Sequence, residues 1–260
     1  MAGMVIPNIG AILAWGLITT LFIPVGFEML INNFSAGILA MLLALFGFVV
    51  IGPVVESISN AFGSVVDAMI QARLLPLAAI IIEPAKILFL NNALNHGVLT
   101  PLGAAATAES GRAIHFLLET NPGPGLGLLI AFYVAGKGML KQSSSGSMII
   151  HFLGGIHEIY FPYVLAHPIM LLSVIAGGLS ADLWFVISGA GLVASPSPGS
   201  IFAYLAVIPP GQHFAVLTGV LIGAVVSAAV GVLILRLNPV KEEASEEETT
   251  ATVGTVPGLA

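Results

Sequence analysis

The chain has 260 residues, of which 57% are hydrophobic and only 8% charged, with a mean hydropathy of +1.05. A soluble domain carries roughly 25% charged residues, so a soluble fold is excluded. With seven Lys/Arg against 13 Asp/Glu there is no basic surface to hold nucleic acid, and the absence of cysteine removes disulfides, thiolate metal sites and a cysteine nucleophile.

Met4 to Val25 is apolar and ends at Ile23-Pro24-Val25-Gly26. It lacks the basic start of a cleavable signal and runs past the length of a signal core, so it is expected to stay in the mature chain. Phe34 to Val55 is uncharged between Asn33 and Glu56 and reads as a spanning helix, with Pro53 near the end, where one lost N–H is tolerated. In residues 56–73, Ile58, Ala61, Phe62, Val65, Val66, Met69 and Ile70 recur at three- and four-residue spacing. Ser57, Asn60, Ser64, Asp67 and Gln71 take the other face. That pattern predicts an amphipathic helix, lying either in the membrane interface or against protein.

From Leu74 onward the apolar segments are repeatedly interrupted, by IIEPAKILFL, NNALNHGVLTPLG and FLLETNPGPGLGLL. Broken helices are tolerated at membrane depth only where protein or a water-filled cavity satisfies the freed backbone groups, and transporters bind substrate at such places. GKGMLKQSSSGS, 136–147, is expected as a polar loop. It is followed by HFLGGIHEIYFPYVLAHP, an apolar segment from Leu171 to Val193, an SPSPGS turn and a last helix from Phe214 to Leu235. The acidic, then Gly/Pro/Thr-rich residues 241–260 are expected as a disordered linker. Lys137 and Lys141, and Arg236 and Lys241, flank two ends that the positive-inside rule places in the cytoplasm, with the C-terminus. The class is an all-α membrane protein: a polytopic helical bundle with broken helices and re-entrant hairpins.

An ionisable group at the centre of a membrane helix costs at least ~2.5 to 3.5 kcal/mol, so each one marks a candidate site. Glu83 and Lys86, three apart, form either a structural ion pair or part of that site. His96 either caps the preceding helix or, with Asn91, Asn92 and Asn95 before it and Gly97 after, walls a polar pocket. Glu119 precedes Asn121-Pro122-Gly123-Pro124-Gly125, read as a loop because its prolines oppose continued helix. A carboxylate beside exposed amides suits a polyhydroxylated ligand; the alternative is an interfacial turn with Glu119 in water. His157-Glu158 sits within an apolar, aromatic run and needs polar partners there. A zinc-protease HExxH would need histidine where Phe161 stands, and no GxSxG occurs. A sugar or polyol ligand fits this set, with a proton relay through Glu and His as the rival chemistry.

PNIGAILAWG, FEMLINNFSAGI, EPAKILFLNNALNHG, ETNPGPG and GGIHEIYFPYV closely resemble the mannitol-specific enzyme IIC of the bacterial phosphoenolpyruvate-dependent phosphotransferase system. The resemblance implies a permease in the cytoplasmic membrane that binds a hexitol, with mannitol as the expected substrate, and presents it for phosphorylation by a B domain. That domain carries a phosphocysteine charged by an A domain, and here it would belong to a separate polypeptide. It implies Glu158 as the central substrate carboxylate, and the expected role of Glu158 is to orient or partly deprotonate the reacting hydroxyl. His157, His96, Asn92, Asn95, Glu119 and Asn121 would surround the substrate, with no cofactor and no metal. It further implies a homodimer among membrane lipids, in which a transport domain moves against a scaffold. In the family a long segment separates FIPVG-like and FEML-like motifs, whereas here Gly26 runs directly into Phe27. The expected domains are therefore 1–55 as residual scaffold helices, 56–73 as a connecting helix, 74–240 as the transport domain and 241–260 as linker. Two other readings are a proton- or ion-coupled polyol or sugar transporter without phosphorylation, and a remnant that inserts but binds nothing.

Overall fold

The computed structural model describes residues 28–72 and 74–239. The expected first segment, Met4 to Val25, and the expected linker over 241–260 lie outside the described residues. Within them the regular structure is helical, apart from one isolated antiparallel bridge between Ala113 and Leu192, and no strand forms. Three helical segments are long and apolar enough to cross a membrane: Gly37–Val54, Pro168–Ser188 and His213–Leu237. The fold is that of an all-α membrane protein.

The described residues fall into two compact units, the first ending at Ser57 and the second beginning at Ile58. Helix α1, Glu28–Phe46, passes through a π-helical turn at Gly47–Ile51 into α2, Gly52–Gln71, and the residues at both junctions keep helical backbone angles. Pro53 thus directly follows the π-helical turn and does not lie at the end of a helix. In the first unit, Ile38, Leu39, Met41, Leu42, Leu43, Leu45 and Phe46 are all exposed, an apolar surface that suits hydrocarbon.

The second unit continues through a 3-10 turn at Leu75–Ala78 into α3, Ala79–Ile87, and α4, Asn91–Leu94. A π turn at Asn95–Leu99 leads to α5, Thr100–Ser110, and the short α6, His115–Leu118. Then follow α7, Gly123–Ala135, and α8, Gly138–Phe152. A 3-10 turn at His157–Tyr160 precedes α9, Phe161–Ala166, and α10, Leu171–Ser188. The last helices are α11, Ile201–Val207, and α12, His213–Leu237.

α12, α7 and α10 pack against one another through small residues. A Cβ at Gly127 would press on the Ala224 carbonyl, and one at Gly177 would come within 2.6 Å of the Gly223 carbonyl. Only glycine lets these backbones approach so closely, the usual means of helix association where lipid offers no hydrophobic drive. Ser227 joins all three, donating to the Pro124 carbonyl at 2.8 Å and lying 3.0 Å from the Ser173 hydroxyl.

Three further expectations are corrected. GKGMLKQSSSGS is not a loop: from Gly138 it forms the start of α8. Its serines are compatible with helix because Ser143 donates to the Met139 carbonyl and Ser144 to that of Lys141, while the Tyr163 hydroxyl meets Ser143 and Ser147 at 2.8 and 2.9 Å. Asn-Pro-Gly-Pro-Gly is likewise no open loop, since α7 begins at Gly123 with Pro124 in its first turn, where proline needs no N–H partner. The apolar segment expected to reach Val193 closes at Ser188. Gly189 adopts a left-handed conformation (φ +63°), and Leu192 turns away to pair with Ala113.

Candidate functional site

Four interruptions of the helical pattern meet in the second unit around a cavity of about 200 Å³. One wall is the α4 end of the Asn-rich stretch, with Asn91, Asn92, Asn95 and His96; a second is Glu119 and Thr120 before α7. A third is the turn carrying Gly155, His157 and Glu158, and the fourth is the Pro196–Gly199 loop. Each wall is a place where the chain cannot continue as a regular helix, so unpaired backbone groups and polar side chains gather at one point.

Glu158 is half-buried, and its Oε1 accepts from Asn91 Nδ2 at 2.8 Å. That bond fixes the carboxylate and leaves its second oxygen to accept from a ligand. Asn95 is buried, and its Oδ1 accepts from Thr100 Oγ1 at 3.0 Å and Ser195 Oγ at 3.3 Å. Its carbonyl capacity is thereby filled, which leaves the amide N–H groups to donate, with the Glu119 side chain as one partner. His157 is 5% exposed, and its Nε2 donates to the Gly199 carbonyl at 3.2 Å, tying the third wall to the fourth. Thr120 meets the Tyr204 hydroxyl at 2.7 Å, which anchors the second wall to α11.

Of the residues expected at a site, Glu158, His157, His96, Asn92, Asn95 and Glu119 therefore line one cavity, Asn92 and His96 from its exposed rim. Asn121 does not line it: this side chain is buried beneath the turn, where Oδ1 accepts from the Gly123 N–H at 2.9 Å and so serves the first turn of α7. Glu83 and Lys86 also stand outside the lining. Lys86 Nζ lies 2.9 Å from Glu83 Oε1 with both side chains at most 2% exposed, and Tyr160 donates to Glu83 Oε2 at 3.3 Å. This is a paired, buried ion pair behind the His157–Tyr160 turn.

Thr120 and the Pro196–Gly199 loop were missed as site residues, and Asn91 was expected in the pocket wall but not as the partner of Glu158. The proline-rich loop reads locally only as a turn and is brought to the cavity by the fold. Among the described residues no cluster of three or more His, Cys, Asp or Glu is arranged to hold a metal ion. The cavity offers carboxylate acceptors, amide donors and imidazole around a small volume, a chemistry suited to a neutral ligand dense in hydroxyl groups.

The chain is 58% identical over 218 residues to the PTS system mannitol-specific EIICB component of Geobacillus stearothermophilus, covering 84% of this chain and 46% of that protein. It is 64% identical over 192 residues to the protein of the same name from Halalkalibacterium halodurans, covering 74% of this chain and 41% of that one. It is 52% identical over 237 residues to the PTS system mannitol-specific cryptic EIICB component of Escherichia coli K12, covering 91% and 51%. The chain thus spans about half the length of the curated relatives it matches. No protein-family model and no solved structure matches it.

Proposed function

The chain belongs to the family of PTS system mannitol-specific permease components, and from that premise we propose that it binds a hexitol, with mannitol as the substrate, for phosphorylation by a B domain, fused or separate. The observation that carries this reading is the convergence of Glu119, His157, Glu158 and three asparagines on one small cavity. At about 200 Å³ the space is below the usual range for drug-sized ligands and suits a molecule of hexose size.

Phosphoryl transfer is mainly positioning and electrostatic stabilisation. In the proposed step Glu158, held by Asn91, orients a terminal hydroxyl and takes its proton. The hydroxyl oxygen forms the new bond to phosphorus as the bond to the partner's cysteine sulfur breaks, so the thiolate leaves. His157, His96, Asn92, Asn95 and Glu119 hold the remaining hydroxyls. We assign 74–240 as the transport domain, 56–73 as its connection and 1–55 as residual scaffold. The cytoplasmic membrane, the dimer and an upstream A domain belong to the same proposal. A coupled secondary transporter has no support in these relatives, which are named as phosphotransferase components.

The test is equilibrium binding of mannitol, glucitol and a hexose to the purified protein, followed by addition of a phosphorylated B domain. Saturable binding that prefers mannitol, and mannitol phosphate formed only with the B domain, are expected. Absence of polyol binding by folded protein overturns the reading.

A further inference from the structure

His151 does not line the cavity, yet it touches both turns that carry the carboxylates. It lies near the end of α8 and is fully buried. Its Nε2 is 2.9 Å from the Pro122 carbonyl, and a carbonyl only accepts, so Nε2 carries the proton. The same carbonyl also accepts from the Leu126 N–H at 3.1 Å, the first turn of α7. The imidazole lies against the His157 ring, with centroids 4.6 Å apart, and edge-on to Tyr160 at 5.4 Å. A Cβ at position 125 would come within 2.6 Å of both Nε2 and the Tyr160 ring, so Gly125 is what allows this approach. Nδ1 is buried as well.

We propose that His151 is a positioning residue, a single rigid ring that fixes the Glu119–Gly123 turn against the Gly155–Glu158 turn so that both carboxylates face one cavity. The two turns are short, irregular and more than thirty residues apart in the chain, and nothing in their own backbones sets the spacing between Glu119 and Glu158. Catalytic and binding groups need support of this kind, because a displacement of about 1 Å costs on the order of 100-fold. The inference deepens the proposed polyol site and rests on that reading for its binding readout. A core histidine that merely fills space makes a different prediction, since any ring of similar size would then serve.

His151→Phe keeps a buried ring and removes the donor, His151→Gln returns an N–H near the Nε2 position, and His151→Asn is too short to reach Pro122. Loss of one buried hydrogen bond to a fixed carbonyl corresponds to about ten-fold in affinity. His151→Phe is expected to lose mannitol affinity by about that factor, and His151→Gln to stay within about three-fold of the parent. Without ligand, hydrogen exchange at the Gly123, Gly125 and Leu126 amides should quicken about ten-fold in His151→Phe and recover in His151→Gln. Parent-like exchange in His151→Phe, or equal impairment of His151→Gln, overturns the proposal. If His151→Phe does not fold, His151→Gln and His151→Asn are compared by the same exchange measurement, and equal rates overturn it. Exchange needs no ligand, so failure of the parent protein to bind mannitol would sink the functional reading and leave the positioning test decided separately.

Discussion

Asn91 and Asn92 are consecutive, yet one is buried against Glu158 and the other stands on the exposed rim. α4 begins at Asn91, and each helical step turns the side chain by about 100°, so neighbours cannot share a direction. The sequence shows that an asparagine cluster precedes His96; which asparagine meets the carboxylate depends on the phase at which the helix starts, and that phase is set by tertiary contacts. Glu158 was legible because a carboxylate in an apolar, aromatic run demands partners. Its partner was not legible, since 67 positions separate them. Glu158→Gln keeps the shape and removes the acceptor charge, and should weaken mannitol binding about ten-fold or more, measured with labelled mannitol on purified protein. Asn91→Ala leaves the carboxylate in place but unfixed, with a smaller expected loss of about three- to ten-fold in the same assay. Asn91→Asp places a second negative charge beside Glu158 and should weaken binding more than Asn91→Ala. An Asn91→Asp variant that binds as well as the parent would remove Asn91 from the site.

At the scale of elements, composition misleads where hydroxyls or prolines have local solutions. The serines of α8 read as a loop because three of them in a row usually prefer turns, and nothing local announces that the Tyr163 hydroxyl of α9 makes two hydrogen bonds with them. The prolines of the 122–124 stretch read as helix breakers, but at a helix start they are neutral. The spanning helices α10 and α12 were legible because their apolar runs are long, and only the end of α10 shifted, by a glycine's left-handed turn. The ion pair on α3 was legible from its three-residue spacing, and its depth makes it sensitive. Lys86→Met alone leaves a buried Glu83 uncompensated and should destabilise by roughly 3–5 kcal/mol. Lys86→Met with Glu83→Gln removes both charges and should recover most of that loss. Thermal unfolding of the two variants in one detergent decides it, and equal loss in both would mean that charge burial is not what the pair resolves. Gly127→Leu acts on a different contact, driving α7 from the α12 backbone at Ala224, with an expected cost of at least about 1–3 kcal/mol by the same measurement.

Within the second unit as a whole, helix directions sort the charges. Gly123 lies against Val220 and Ala224, Gly127 against Ala224 and Ala228, and Gly231 against Ala131, so α7 and α12 run parallel. Gly219 meets Phe185 while Gly231 meets Met170 and Ser173, so α10 runs the other way. Lys137, just after α7, and Arg236, in the last turn of α12, therefore share one end of the unit with Pro168, while Gly189 and His213 mark the other. The Asn121–Gly123 turn sits beside Val220, seven residues or about 10 Å into a 25-residue helix, which puts the neighbouring cavity wall at membrane depth. We propose, from the positive-inside rule, that the Lys137 and Arg236 end faces the cytoplasm. The chain contains no cysteine, so single cysteines report orientation without background. Arg236→Cys and Lys141→Cys should react with a membrane-impermeant maleimide only in inverted vesicles, and His213→Cys only in right-side-out ones. Labelling of Arg236→Cys and His213→Cys from the same side would mean that α12 does not cross the bilayer. The depth assigned to Glu158 and Glu119 would fall with it, and with that depth the reason why their carboxylates need a polar ligand.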